Sequence, residues 1–250
     1  MKSTTRSRPA ATKAASNAKK GTVRTLAIDI GGSGIKASVL DDSGQMLTER
    51  VRVETPKPCP PQVAVEAIAG LVASLPAFDR ISVGFPGVVR HGRVLTAVNL
   101  GDEDWRGFDL ANALEETLHK PARLLNDADM QGFAAIEGKG VELVVTLGTG
   151  VGTAIFEDGR LGPHLEIAHH ILWKGKTYEE YVGNAARQAV GNKKWNNRLK
   201  RVIRSLRRLT YFDKLHLGGG NAKKVTIELD PDVRIVSNTA GILGGIALWR

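Results

Sequence analysis

At 250 residues and 42% hydrophobic content, the chain carries enough apolar material for one large α/β domain or two modest ones. Its single cysteine, Cys59, excludes a disulfide within the chain and a zinc site built from several thiolates, and no apolar run approaches the roughly 20 residues that span a bilayer. The formal charge of +9 is uneven, because Lys2, Arg6, Arg8, Lys13, Lys19, Lys20 and Arg24 put seven cations and no acid into residues 1–24 and leave +2 for the rest. That leader lacks the apolar core of a secretory signal and is expected to be a disordered basic tail on a cytoplasmic protein. A tail of this kind binds polyanions weakly, and a solvated leader without a partner is its plainer reading.

The body opens with three expected antiparallel strands, at 25–30, 35–41 and 46–54. The first two flank Asp29-Ile30-Gly31-Gly32-Ser33-Gly34-Ile35-Lys36, where glycines without Cβ let backbone N–H groups turn toward an anion. Asp29 ends the first strand, placed to hold Mg²⁺ through water beside a phosphoryl group, and Lys36 begins the second. An ordinary glycine-turn hairpin has the same composition, so companion motifs must decide.

Four prolines over 56–61 stop the sheet, and Val63, Val65, Ile68, Leu71 and Val72 pattern an amphipathic helix. A buried strand at 81–84 delivers Gly84-Phe85-Pro86-Gly87, and an irregular stretch follows with Asn99 and Trp105. A helix at 110–118 and a strand at 122–125 lead into Asn126-Asp127-Ala128-Asp129, opening a helix to about Glu137. A carboxylate there can reach a bound hydroxyl, and an Asn-Asp pair can equally cap the helix. Asp129 is expected to face solvent or pair locally.

Strands at 143–148 and 151–156 repeat the opening design around Gly148, Thr149, Gly150 and Gly152. Leu161 to His170 contains Glu166-Ile167-Ala168-His169, and Tyr178-Glu179-Glu180-Tyr181 follows. Over 195–210, Trp195, Leu199, Val202 and Leu206 form an apolar helical stripe. The other faces carry Lys193, Lys194, Arg198, Lys200, Arg201, Arg204, Arg207 and Arg208 with no acid among them, a pattern of a polyanion track. A strand then enters Gly218-Gly219-Gly220, and a closing helix is expected at 238–249, packing on the first domain.

With these motifs in this order, the chain resembles the ROK family of sugar kinases and sugar-responsive repressors. The resemblance implies an α/β, two-domain actin-like (ribonuclease-H-like) sugar kinase fold with a cleft between domains 25–125 and 126–237. It implies phosphoryl transfer to the 6-hydroxyl of glucose or a related hexose such as mannose. Asp127 takes the role of general base, Asp29 organises Mg²⁺, and Gly31, Gly32, Ser33, Gly34, Lys36, Gly148, Thr149, Gly150, Gly218, Gly219 and Gly220 surround the donor phosphates. Gly87, Asn99, Asn126, Asp127, Glu166, His169 and Glu179 fall to the sugar, with Ala168 replacing the family's usual Gly. Many relatives carry a cysteine-rich zinc loop after this His; residues 171–177 have no Cys, so no zinc site is expected. The basic helix is similar to the polyphosphate glucokinase and glucomannokinase branch, which implies polyphosphate as donor, with ATP the alternative. A homodimer is expected, with no membrane and no specific nucleic acid partner. The family's repressors place a winged helix-turn-helix ahead of the body, which 24 residues are too few to form.

Overall fold

The structure is a computed structural model that describes residues 22–237 and 240–250; all but the last three residues of the basic tail lie outside the described residues. Strand β1 (Thr25–Gly31) pairs antiparallel with β2 (Gly34–Leu40) through seven positions, and Lys36 stands opposite Asp29. The edge strand β3 (Val51–Val53) is shorter than the expected 46–54. Upstream of it the chain touches β2 at single points, a bridge between Met46 and Leu40 with the Leu47 N–H donating to the Val39 carbonyl at 2.7 Å, and the Thr48 hydroxyl accepts the Val39 N–H at 3.2 Å, so no continuous strand forms there.

Helix α1 (Pro61–Val72) begins with Pro at its first position, where a missing N–H costs nothing, and buries Ala64, Val65, Ile68 and Val72. Strand β4 (Arg80–Phe85) runs parallel to β1, buried from Ile81 onward. A small hairpin of β5 (Val89–Arg90) and β6 (Arg93–Val94) and the single turn α2 (Asp102–Trp105) follow. Trp105 is fully buried, its indole N–H donating to the Cys59 carbonyl at 2.8 Å and its rings packed on Phe85 and Phe108. Helix α3 (Leu110–Leu118), capped by the Asp109 carboxylate, leads to β7 (Ala122–Asn126), parallel to β4. The sheet order is β3-β2-β1-β4-β7.

Helix α4 (Asp127–Phe133) starts at the end of β7 and stops four residues short of the expected Glu137. The Glu142 carboxylate accepts the N–H groups of Glu137, Gly138 and Lys139 and turns the chain there, with Gly138 at φ 79°. The second sheet comprises β8 (Val141–Leu147), β9 (Val151–Glu157), β10 (Arg160–Leu161), β13 (Lys214–Gly218) and β14 (Val233–Ile235) in the order β10-β9-β8-β13-β14. It repeats the first: an antiparallel hairpin, an outer antiparallel strand on one side and two parallel strands on the other. Between β10 and β13 lie the hairpin β11 (Ile171–Trp173) with β12 (Lys176–Thr177), helix α5 (Tyr178–Val182) and helix α6 (Asn184–Thr210).

Helix α6 breaks at Gly191, whose φ of 74° suits glycine, and its basic portion runs from there to Thr210. Trp195, Leu199, Val202 and Leu206 are all buried against the second sheet. Of the expected helix at 238–249, residues 238–239 lie outside the described residues, and the rest is a helical turn, α7 (Ala240–Leu243), continued by a 3₁₀ segment (Gly244–Trp249). It crosses back to the first sheet, where Ile242 and Ile246 pack on Ala27 and Leu40. The Ser82 hydroxyl donates to the Gly245 carbonyl at 2.7 Å and accepts the Trp249 indole N–H at 2.8 Å. Helix α4 joins the two sheets: Met130 lies against Gly84, and Gly132 against Phe156 and Val144.

Candidate active site

The two glycine hairpins face one cavity of about 510 Å³. The β1–β2 hairpin brings Asp29, Gly31, Gly32, Ser33 and Lys36 to it, and the β8–β9 hairpin brings Gly148, Thr149 and Gly150. From the β13 end come Gly219 and Gly220. Gly219 has φ 82°, and a Cβ there would lie 2.6 Å from the Leu147 carbonyl oxygen, so both backbone and space require glycine. Two predicted phosphate glycines stand off the cavity wall. Gly34 packs under the Arg52 guanidinium, which in turn donates to the Ser33 carbonyl at 3.0 Å, and Gly218 packs on Gln131.

The floor is the junction of β7 and α4. Asn126 is the N-cap, its Oδ1 accepting the Ala128 and Asp129 N–H groups at 2.8 and 3.3 Å while its Nδ2 donates to the Gly87 carbonyl at 3.0 Å. Its amide thus fixes the start of α4 and the Gly87 loop together. Asp127, the first residue of α4, lies on the cavity wall with one carboxylate oxygen taking the Ala128 N–H at 2.8 Å. Burial, and after it the negative charge of Asp29, push its pKa up to about 7. Asp29 itself pairs with Lys36 Nζ at 2.8 Å.

The remaining wall carries Gly87, Asn99, Glu166, Ala168, His169 and Glu179. Glu179 rather than Glu180 faces inward, because Glu180 is committed to a capping box with Thr177 at the start of α5. Burial raises the Glu179 pKa. Its Oε2 is so close to Gly150 that a Cβ there would approach within 2.4 Å. Ala168, where the family pattern has Gly, is not among the residues of positive φ and needs no glycine; its N–H donates to Glu166 Oε1 at 3.3 Å. Asp129 departs from expectation: instead of facing solvent or pairing locally, it is buried and pairs with His164 Nδ1, 35 residues away, at 3.2 Å.

Sequence reasoning missed Thr146, Asn184 and Asn221 on this wall. The Asn184 N–H and the Asn221 side-chain amide both bond to the Gly148 carbonyl, at 3.1 Å each, and so hold the second hairpin. Each opens a helix or follows a glycine run, a cue that spacing alone does not separate from an ordinary cap.

The described residues contain no cluster of three or more His, Cys, Asp or Glu placed to hold a metal. The donor set nonetheless fits Mg²⁺, which keeps several waters and takes one or two carboxylates together with substrate phosphates; Asp29 presents such a carboxylate to the cavity.

A second depression, about 450 Å³, lies on the outer face of α6 and is lined by Lys194, Arg198, Lys200, Arg201 and Arg204 with Tyr181. Arg198 and Arg201 are held over the rings of Tyr181 and Trp173, at 4.9 and 3.7 Å. Arg207 leaves the expected track, because its guanidinium pairs with Asp230 and Asp232 from the segment before β14. Lys193 and Arg208 are exposed but do not line this depression.

Two sheets of matching topology, each aiming a glycine hairpin at one cleft with a carboxylate at its base, define the actin-like two-domain fold of sugar kinases. The chain belongs to the ROK family, whose family model matches residues 25–173. It is 33% identical over 234 residues to a polyphosphate glucokinase of Mycobacterium tuberculosis, covering 87% of this chain and 88% of that one. Among solved structures it is similar to an inorganic polyphosphate/ATP-glucomannokinase from Arthrobacter sp. strain KM, with TM-score 0.82 and 34% identity over 91% of this chain and all of the other. A ROK glucokinase from Streptomyces griseus, in complex with glucose and AMPPNP, shares the fold with TM-score 0.71 at 22% identity, covering 90% and 98% of the two chains.

Proposed function

We propose that this chain is a hexose kinase that transfers the terminal phosphoryl group of polyphosphate or ATP to the 6-hydroxyl of glucose or a close hexose. The observation that carries the reading is Asp127, with its raised pKa, on the wall of a cavity that both glycine hairpins face. A carboxylate whose pKa lies near neutrality is matched to accepting a hydroxyl proton, a role worth ~10²–10⁴ in rate. The family and the names of the similar proteins support the same class of reaction.

In this reading Glu166, His169, Glu179 and Asn99 orient the sugar through its other hydroxyls. Asn126 contributes by fixing Gly87 and the start of α4. Backbone N–H groups of both hairpins and the Lys36 ammonium meet the donor phosphates, where their charge opposes that developing on the transferring group. Mg²⁺ held by Asp29 through water would supply further neutralisation of the phosphate oxygens. The outer face of α6 favours polyphosphate: five cations line one depression, and two of them are fixed over aromatic rings. A long phosphate chain needs such a cationic track beyond the cleft. The test is phosphorylation of glucose and mannose by the purified protein with Mg²⁺ and either donor; turnover that vanishes in Asp127→Asn supports the reading, and no turnover from folded protein with either donor overturns it.

A further inference from the structure

His164 belongs to none of the roles above, yet its ring lies between two carboxylates. Nδ1 is 3.2 Å from Asp129 Oδ2 and Nε2 is 3.5 Å from Glu166 Oε2. Carboxylates only accept, so the arrangement calls for an imidazolium that donates from both nitrogens. The two hydrogen-bonded carboxylates, Asp129 first, outweigh burial and raise the His164 pKa to about 9.

Each partner ties this ring to the cleft. Asp129 sits on α4 two residues beyond Asp127 and is buried, and its Oδ1 has no hydrogen-bond partner. Its charge is therefore met by His164 through the other oxygen. Glu166 follows His164 by two residues, and the two side chains meet directly, Nε2 to Oε2 at 3.5 Å. With Oε1 on the Ala168 N–H and Oε2 toward His164, the Glu166 carboxylate is held from two directions while it lines the cavity.

We propose that His164 is a positioning residue for hexose binding: it ties the Glu166 carboxylate to the helix that begins with Asp127, fixing the sugar's hydroxyls relative to the base. This rests on the assignment of Glu166 to the sugar. Without His164 only the Ala168 N–H, at 3.3 Å, holds the Glu166 carboxylate, and the side chain, about two-fifths exposed, loses its tie to α4.

The experiment is a double-mutant cycle on His164→Gln and Glu166→Gln, reading KM and kcat for glucose at saturating donor. Losing one charge-assisted hydrogen bond to a binding carboxylate is expected to raise the hexose KM about tenfold in His164→Gln, with kcat changed less than about threefold. The double variant should be no worse than Glu166→Gln alone. An unchanged hexose KM in His164→Gln, or effects that multiply in the double variant, would overturn the proposal while leaving the kinase reading intact. A Glu166→Gln variant with wild-type hexose KM would remove the sugar assignment itself, and the proposal with it. His164→Asn repeats the cycle if His164→Gln does not fold; failure of both to fold would assign the imidazole to stability and overturn the proposal.

Discussion

Replacing Asp127 with Asn should make the protein a worse enzyme and a more stable fold, and the second effect depends on pH in a defined direction. In the folded chain the carboxyl titrates at about 7, against 3.8 when unfolded, chiefly because burial disfavours its charge. Between those values the folded state binds more protons than the unfolded one, so stability falls as pH rises from about 4 to about 7 and then levels. At about 1.4 kcal/mol per pH unit, the gap between 3.8 and about 7 costs the folded state about 4 kcal/mol above pH 7. Asp127→Asn cannot ionise and lacks this penalty. Urea unfolding of ligand-free wild type and variant should show the variant's advantage growing by about 2–3 kcal/mol between pH 5 and pH 8. The same carboxyl should give wild-type kcat/KM an acid limb near pH 7, rising as the base deprotonates. A variant no more stable at pH 8 than at pH 5, relative to wild type, would refute a desolvated Asp127.

Charge reversal on the outer face of α6, Lys194→Glu with Arg201→Glu, should raise the KM for long-chain polyphosphate at least about tenfold and leave the KM for ATP within about threefold, with the wild-type polyphosphate KM rising with salt. Initial rates with each donor read this directly. Gly244→Ala would bring a Cβ within 1.7 Å of the Met130 carbonyl oxygen where the C-terminal segment meets α4, and should lower stability by about 3 kcal/mol or more in denaturant unfolding. EDTA should abolish turnover and excess Mg²⁺ restore it, while the melting temperature of the ligand-free protein stays unchanged, since the proposed ion joins with substrate phosphate.

The two glycine hairpins and the buried strands beside them were legible because local pattern decides them, whereas hairpins β5–β6 and β11–β12 and the edge strands β10 and β14, two or three residues each, are too short to show a pattern. Apolar runs such as Leu26–Ile30 and Leu143–Leu147, followed by glycine turns, announce buried strands, and the repeat of the design announces the duplicated architecture. The α6 stripe of Trp195, Leu199, Val202 and Leu206 was equally plain. What the sequence hid was long-range pairing of polar groups. The end of α4 is set by Glu142, which also meets buried His216 at 2.7 Å, 74 residues away in sequence. Arg207 looked free because its acids, Asp230 and Asp232, lie beyond the intervening strand. Asp129 read as solvent-facing or locally paired because its partner, His164, is 35 positions away. In the cleft, Asp29 stood out by its place beside the glycine turn, and Asp127, Glu166 and Glu179 were nominated by the resemblance to the family, whereas only the structure showed that the Asn126 amide is spent on the helix cap and Gly87.

The measurement that bears most directly on the central claim is product formation from glucose, followed as glucose 6-phosphate, with purified protein, Mg²⁺ and either polyphosphate or ATP, in wild type and Asp127→Asn. The account predicts glucose 6-phosphate from polyphosphate in wild type and a fall of ~10²–10⁴ in the variant. Equal rates in the two proteins, or no product from folded wild type with either donor, would contradict it.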